Sequence, residues 1–194
     1  MASRVSVVIA ALNDEAWIAA AVDSAFGAGM ADVIVSDGGS ADRTREIAAA
    51  HRARVITSLP MRSRQFNIGA KEARHDTIVF LHADTTLPPG AADAVSAALQ
   101  RFEFGGFRIS FAENVLKLRV AASMINLRTR ITRCPWGDQA QFIRRAIFLR
   151  DGGYREIPLM EDYELATRMK RNATILPLAV TTSGRRFLEK GVLR

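Results

Sequence analysis

Cysteine occurs once, at Cys134, so the chain can form no intramolecular disulfide and cannot build a zinc site from thiolates. A sequence so poor in cysteine suits a reducing compartment. Long apolar runs are equally scarce: the first, from Val5 to Leu12, is broken by Asn13, Asp14 and Glu15, well short of the roughly 20 residues that span a bilayer. The expectation is therefore no membrane span. Because no small-residue cleavage site follows Arg4 and this run, the segment reads as a buried strand and not as a signal peptide. Aromatic residues make up only 7%, and no basic stretch is interleaved with Phe or Tyr in the way that stacks on bases, which argues against nucleic acid as a partner. Neither G-x-x-x-x-G-K nor G-x-G-x-x-G occurs, and no internal repeat or low-complexity segment is visible.

What is present is enough for one core. With 194 residues and 48% apolar content, the chain has the size of a single domain spanning 1–194. A net charge of +7 comes from many arginines, which suit phosphate groups on a nucleotide or an anionic lipid surface.

Short β-branched runs alternate with helical patterns through the first half. Val5 to Ala10 reads as a strand, and Asn13 is placed to cap a helix with Ile18, Ala21, Val22 and Ala25 on one face. Asp32 to Ser36 is a second strand, followed by the loop Asp37-Gly38-Gly39-Ser40 and a helix from about Asp42 to His51. Val55 to Thr57, a helix marked by Phe66, Ala70 and Ala73, and the apolar strand Thr77 to Leu81 continue the pattern. Continuous apolar strands imply burial on both faces, and hence an α/β fold with a mostly parallel central sheet flanked by helices. In such sheets ligands sit beyond the carboxyl ends of the strands.

A helix to about Gln100 and a strand from Gly105 to Phe111 close this half. Beyond it, Leu116, Val120, Met124, Leu127 and Ile131 form an apolar stripe on a long helix, with Lys117, Arg119, Arg128, Arg130 and Arg133 on its other faces. The stripe is expected to pack into the core, contact with acidic lipid being the lesser alternative. Gln141 to Ile143 is a further strand, Glu161 to Lys170 a helix, and Ala173 to Val180 a strand interrupted by Pro177.

Acids follow the first, second and fourth strands: Asp14 with Glu15, Asp37 with Asp42, and Asp84. A parallel sheet gathers them along one rim, a concentration of like charge that a nucleotide with a divalent metal would offset. Asp84 can supply an oxygen ligand to Mg²⁺ or Mn²⁺ while a diphosphate supplies others. The plainer alternatives are local: Asp42 capping the second helix, Asp84 initiating a turn, and Glu161 and Asp162 complementing a helix dipole.

With these motifs in order, the chain resembles family 2 glycosyltransferases of GT-A (Rossmann-like) fold over nearly its whole length. More narrowly it resembles a small bacterial branch that pairs FLHADT with later GDQ and LMED segments, here Phe80 to Thr85, Gly137-Asp138-Gln139 and Leu159 to Asp162. The resemblance implies that Ala10, Leu12 and Asp14 lie at the nucleoside base, with Ala10 and Leu12 standing where the family has proline and an aromatic. It places Asp37 near the base or ribose, and His82, Ala83 and Asp84 at the D-x-D position, His82 replacing its first acid and Gly38 the acid after Asp37. The metal would then rest on Asp84. Arg62, Arg64, Gln65 and Asn67 match a segment facing the donor, and Arg185 and Arg186 one that closes over the diphosphate. Asp162 matches the catalytic base, with Trp136, Asp138, Gln139 and Glu161 on the acceptor side.

The implied activity is inverting transfer of a sugar from a nucleoside-diphosphate donor to an acceptor hydroxyl, with Mg²⁺ or Mn²⁺ as cofactor. Residues 1–110 would form the donor half and 111–194 the acceptor and catalytic half. A glycan or lipid-linked acceptor, and a cytoplasmic location reaching the inner membrane face, complete the expectation. Two rivals stand beside it. A sugar nucleotidyltransferase would carry a glycine-rich basic loop after the first strand, where this chain has the acidic Ala10 to Glu15. A non-catalytic nucleotide-sugar binder would explain His82 and Gly38.

Overall fold

The computed structural model describes residues 4–185 and 188. Strand β1 (Val5–Ala11) is followed by helix α1 (Ile18–Gly27), β2 (Asp32–Asp37), α2 (Thr44–Ala50), β3 (Arg54–Thr57), α3 (Arg62–Glu72) and β4 (Thr77–His82). Then come β5 (Thr85–Thr86), α4 (Ala91–Ala98), β6 (Phe104–Phe111), α5 (Leu116–Thr132), β7 (Phe142–Arg144), α6 (Arg145–Arg150), α7 (Glu161–Met169) and β8 (Ala173–Thr182). The strands form one sheet in the order β3-β2-β1-β4-β7-β6-β8-β5. β3, β2, β1 and β4 are mutually parallel, β7 runs against both β4 and β6, and β8 is parallel to β6.

Alternation along the strands puts apolar side chains on both faces, as the continuous runs require. Val7, Ile9, Val33, Val35, Val79 and Leu81 meet α1 and α4 on one side. Val8, Ala10, Ile34, Ile78 and Phe80 meet Phe66, Phe148 and Tyr154 on the other. β5 begins only a few residues after β4 ends, yet pairs with β8 at the far edge. A connection that short reaches about 10 Å at most, so the sheet has to curl back on itself. The curl brings β8 over the carboxyl end of β4.

Several local expectations change. Asn13 does not cap α1: it adopts a positive φ of 56°, and its side chain accepts the Ala41 N–H at 2.9 Å, tying the first loop to the second. Asp42 does serve the start of α2, accepting the Thr44 N–H at 3.0 Å. Pro177 sits where the β6–β8 register slips, between the Gly106–Ile175 and Arg108–Ala179 pairs, so the missing N–H interrupts no regular ladder. The largest correction concerns α5. Its Leu118, Ala121 and Thr129 are buried, while the stripe Leu116, Val120, Met124, Leu127 and Ile131 faces outward. Small Ala121 and the Asn126 side chain, which bonds both the N–H and the C=O of Ile109, let the polar side dock on β6.

Candidate active site

In-register pairing sets Ala10 beside His82 on one side and Ser36 on the other, so the loops after β1 and β4 open onto the same rim. There a cavity of about 410 Å³ is lined by Ala10, Leu12, Asp14, Arg62, Gln65, His82, Ala83 and Asp84, with Pro60 and Met61. A smaller cavity of about 160 Å³ is lined by Asp138, Trp136, Asp162, Phe111, Thr182 and Ser183. Arg62, His82 and Asp84 line both, so the two chambers share a wall and form one cleft.

The larger chamber is built by the carboxyl ends of the sheet. Asp14 Oδ2 accepts the Leu12 N–H at 2.8 Å, and the Asp14 N–H is bonded to Thr44 Oγ1, which fixes the loop after β1. Buried Gln65 donates to the carbonyls of Ala11 (2.7 Å) and Ser36 (2.9 Å), clamping two strand ends where their ladder stops. The His82 ring stacks on Phe66 with centroids 6.0 Å apart.

The smaller chamber collects side chains from the second half. Asp162, in the first turn of α7, accepts the Gly137 N–H through Oδ2 at 2.5 Å and the Tyr163 N–H through Oδ1 at 2.7 Å. Its own carbonyl accepts from Gln141 Nε2, which also holds the Pro135 carbonyl, while Gln141 Oε1 accepts from the buried Tyr154 hydroxyl at 2.7 Å. Burial pushes the Tyr154 phenol well above its ordinary range, so it stays a donor. Trp136 is covered by the Arg128 guanidinium, 3.8 Å from the ring centre. Asp138 has a buried Oδ1 without a hydrogen-bond partner, and burial, reinforced by the charge of Asp162, raises its carboxyl to about 6.

Other expected site residues lie elsewhere. Asp37 is fully buried and bonds the N–H groups of Gly39 and Ser40 at 3.0 Å and the Ser40 hydroxyl, closing its own loop. Arg64 pairs with Glu156 at 2.8 Å, and Asn67 exchanges hydrogen bonds with the Tyr154 backbone; both line a separate groove between α3 and α6. Helical spacing explains the split, since Arg62 and Gln65 share a face that Arg64 and Asn67 do not. Gln139 is buried and organises the turn, accepting from Thr129 and the Trp136 N–H and donating to the Phe107 carbonyl. Glu161 is buried and pairs with Arg62 at 3.0 Å, so it positions that guanidinium from behind the cleft. Arg185 lies over the Trp17 ring, and Arg186 falls outside the described residues. Phe111, Gln141, Tyr154, Thr182 and Ser183 were not anticipated; no local pattern marks them, because tertiary packing delivers them, Phe111, Thr182 and Ser183 with the curl of the sheet and Gln141 with the seating of β7 on β4, where it meets Tyr154.

The family model described as Glycosyl transferase family 2 matches residues 6–155. No curated relative matches by sequence. Among solved structures, S. aureus TarS 1-349 in complex with UDP superposes with a TM-score of 0.72 at 18% identity, over 96% of this chain and 62% of that one. Glucosyl-3-phosphoglycerate synthase from Mycobacterium tuberculosis, in complex with Mn²⁺, UDP and glucosyl-3-phosphoglycerate, gives 0.66 at 20% identity, over 97% and 75%. Mannosyltransferase PcManGT from Pyrobaculum calidifontis, in complex with GDP-Man and Mn²⁺, gives 0.68 at 15%, over 93% and 56%. The architecture is that of GT-A glycosyltransferases, and the chain spans less than two thirds of the TarS chain.

Proposed function

Because the chain belongs to glycosyl transferase family 2, we propose that it transfers a sugar from a nucleoside-diphosphate donor to an acceptor hydroxyl with inversion at the anomeric carbon. The observation that carries this reading is the two-chambered cleft. Asp84, Arg62 and His82 stand on the wall common to a nucleotide-sized chamber and to a small one that holds Asp162. The donor occupies the larger chamber, its base near Leu12 and Asp14 and its diphosphate toward Arg62 and Asp84. The acceptor hydroxyl enters the smaller one beside Trp136 and Asp138.

Asp162 accepts the hydroxyl proton as the acceptor oxygen bonds to the anomeric carbon; the carbon–oxygen bond to the diphosphate breaks, and the nucleoside diphosphate leaves. One base suffices for a single displacement. Two backbone N–H groups aim the carboxylate and the α7 N-terminus complements its charge, so the base is held in place before substrate arrives. Arg62, braced by Glu161, faces the charge that develops on the leaving group.

Among the described residues, no group of three or more His, Cys, Asp or Glu side chains could hold a metal ion. Asp84 as a single carboxylate fits a hard cation, Mg²⁺ or Mn²⁺, that takes its remaining ligands from the diphosphate and water. Bound there, the ion would neutralise charge on the departing diphosphate. No described helix is long and apolar enough to cross a membrane. The location proposed is the cytoplasm, with contact at the inner membrane face where the acceptor is lipid-linked; a glycan acceptor is the other class.

Thermal-shift titration with UDP, GDP and dTDP, each with and without Mn²⁺, tests the donor chamber. A shift with one nucleotide that needs Mn²⁺ and is lost in Asp84→Ala supports the reading, and no shift with any nucleotide overturns it. A non-catalytic binder, which His82 and Gly38 would suit, is excluded by sugar transfer that Asp162→Asn abolishes while nucleotide binding remains.

A further inference from the structure

The outward stripe of α5 is an exposed apolar feature that the cleft does not use. Leu116, Val120, Met124, Leu127 and Ile131 are each more than half exposed, with Leu116 and Ile131 at 72%. At about 100° per residue these side chains fall within an arc of roughly 80°, and the stripe runs for about 22 Å along the helix. An aligned apolar face of that length on a helix surface requires an occupant.

Charge identifies the occupant. α5 has no acidic residue between Leu116 and Thr132. Lys117 borders one edge of the stripe, Arg119 and Arg130 border the other, and Arg133 follows at the C-terminal end, all four exposed. Arg128 is not part of this set, being folded over Trp136. The nearest acid in sequence, Glu113, is turned away by bonds from the Gly184 N–H and the Ser183 hydroxyl. An apolar centre with cations on both borders is the pattern of a helix lying in a membrane interface, apolar side in the acyl boundary and cations among anionic headgroups. A second copy of the chain fits less well. Packing stripe on stripe would set like charges against each other at the flanking positions, which a coiled-coil seam fills with opposite ones.

We infer that α5 is a docking face for an anionic lipid bilayer, seated through Leu116, Val120, Met124, Leu127 and Ile131 and held by Lys117, Arg119, Arg130 and Arg133. α5 runs directly into Cys134, Pro135 and Trp136, so in the chain the docking face adjoins the smaller chamber that Trp136 lines. This gives the membrane contact of the proposed function a defined surface, yet binding to vesicles needs neither donor nor acceptor and so succeeds or fails separately from transfer.

Flotation with vesicles of phosphatidylcholine alone, or of an equal mixture of phosphatidylglycerol and phosphatidylcholine, provides the test. The protein is expected to float with the mixed vesicles and to stay in solution with phosphatidylcholine alone. Each basic residue at an anionic surface strengthens partitioning about fivefold, so Lys117→Glu with Arg119→Glu and Arg130→Glu should weaken it by about 100-fold or more. The uncharged pair Leu116→Ser with Ile131→Ser, and separately Met124→Glu with Leu127→Glu, should each weaken it at least about 10-fold. All these positions are exposed, so unchanged melting curves are the control for folding. Failure to float with mixed vesicles, or floating that the α5 variants leave intact, overturns the inference. So does a dimer in sedimentation that ignores vesicles and that Met124→Glu with Leu127→Glu splits.

Discussion

Gly137 has no side chain because two groups of the cleft occupy the space one would need. A Cβ there would lie 2.9 Å from His82 Nε2 and 3.0 Å from Asp162 Oδ2, which also sets His82 and Asp162 around one point. Gly137→Ala is therefore expected to lower the transfer rate by about 10- to 100-fold through displacement of Asp162, with nucleotide affinity little changed. Asp162→Asn removes the proposed base and should cost about 10²- to 10⁴-fold in kcat, again with the nucleotide still bound. Single-turnover kinetics beside thermal shift separate the two effects. Asp138 makes a prediction about stability. Its carboxyl titrates near 6 in the folded chain against an ordinary 3.8, so the folded state holds this proton more tightly than the unfolded one. The contribution is intact below about pH 4 and is lost as pH rises through about 6, by up to roughly 3 kcal/mol. Melting curves across this window should show Asp138→Asn gaining on the wild type as pH rises; parallel curves would refute the assignment.

At the scale of elements, α3 carries both the clamp on the strand ends and the arginine of the cleft, so its distance from the sheet matters. Gly69 sets that distance, since a Cβ there would run into the Val8 side chain of β1. Gly69→Ala is expected to destabilise by about 1–3 kcal/mol through overpacking, and Val8→Ala in the same chain should return part of the loss, because the two positions meet. Denaturant melts of the single and double variants measure the coupling. Additive losses would show that α3 does not bear on β1 at this point. The same scale explains the reversal of α5. Spacing identified its apolar stripe correctly, but periodicity reports only that one face differs from the other. What β6 offered was a surface matched by Leu118, Ala121 and Asn126, and the opposite face was left outward.

Across the whole molecule, residues 1–110 and 111–194 are interleaved and not joined end to end. β7, from the second half, lies between β4 and β6 of the first, and β8 pairs with both β6 and β5. A fragment of residues 1–110 would leave the inner edge of β4 and both edges of β6 unpaired, exposing apolar strands. We expect that fragment to lack a cooperative melt, whereas the full chain unfolds in one transition. A cooperative fragment melt, followed by circular dichroism, would mean that the first half folds by itself.

The strand–helix alternation, the parallel first half and the burial of β1, β2 and β4 on both faces were readable from the residues, because continuous β-branched runs between polar loops have few other solutions. So was the gathering of Asp14 and Asp84, since any parallel sheet delivers the loops after β1 and β4 to one rim; Leu12 and His82 were named through the family resemblance. Asp138 and Asp162 came from the family motifs, not from spacing, and only the packing of the second half, with β7 laid against β4, brought them to the chamber that Asp84 also lines. Side-chain direction decided the rest: Arg62 turned to the cleft and Arg64 away from it, and Asp37 was spent on its own loop. The outward face of α5 also belongs to the tertiary structure alone. An amphipathic sequence states that a face is apolar, and only the packed neighbours determine whether the protein itself covers it.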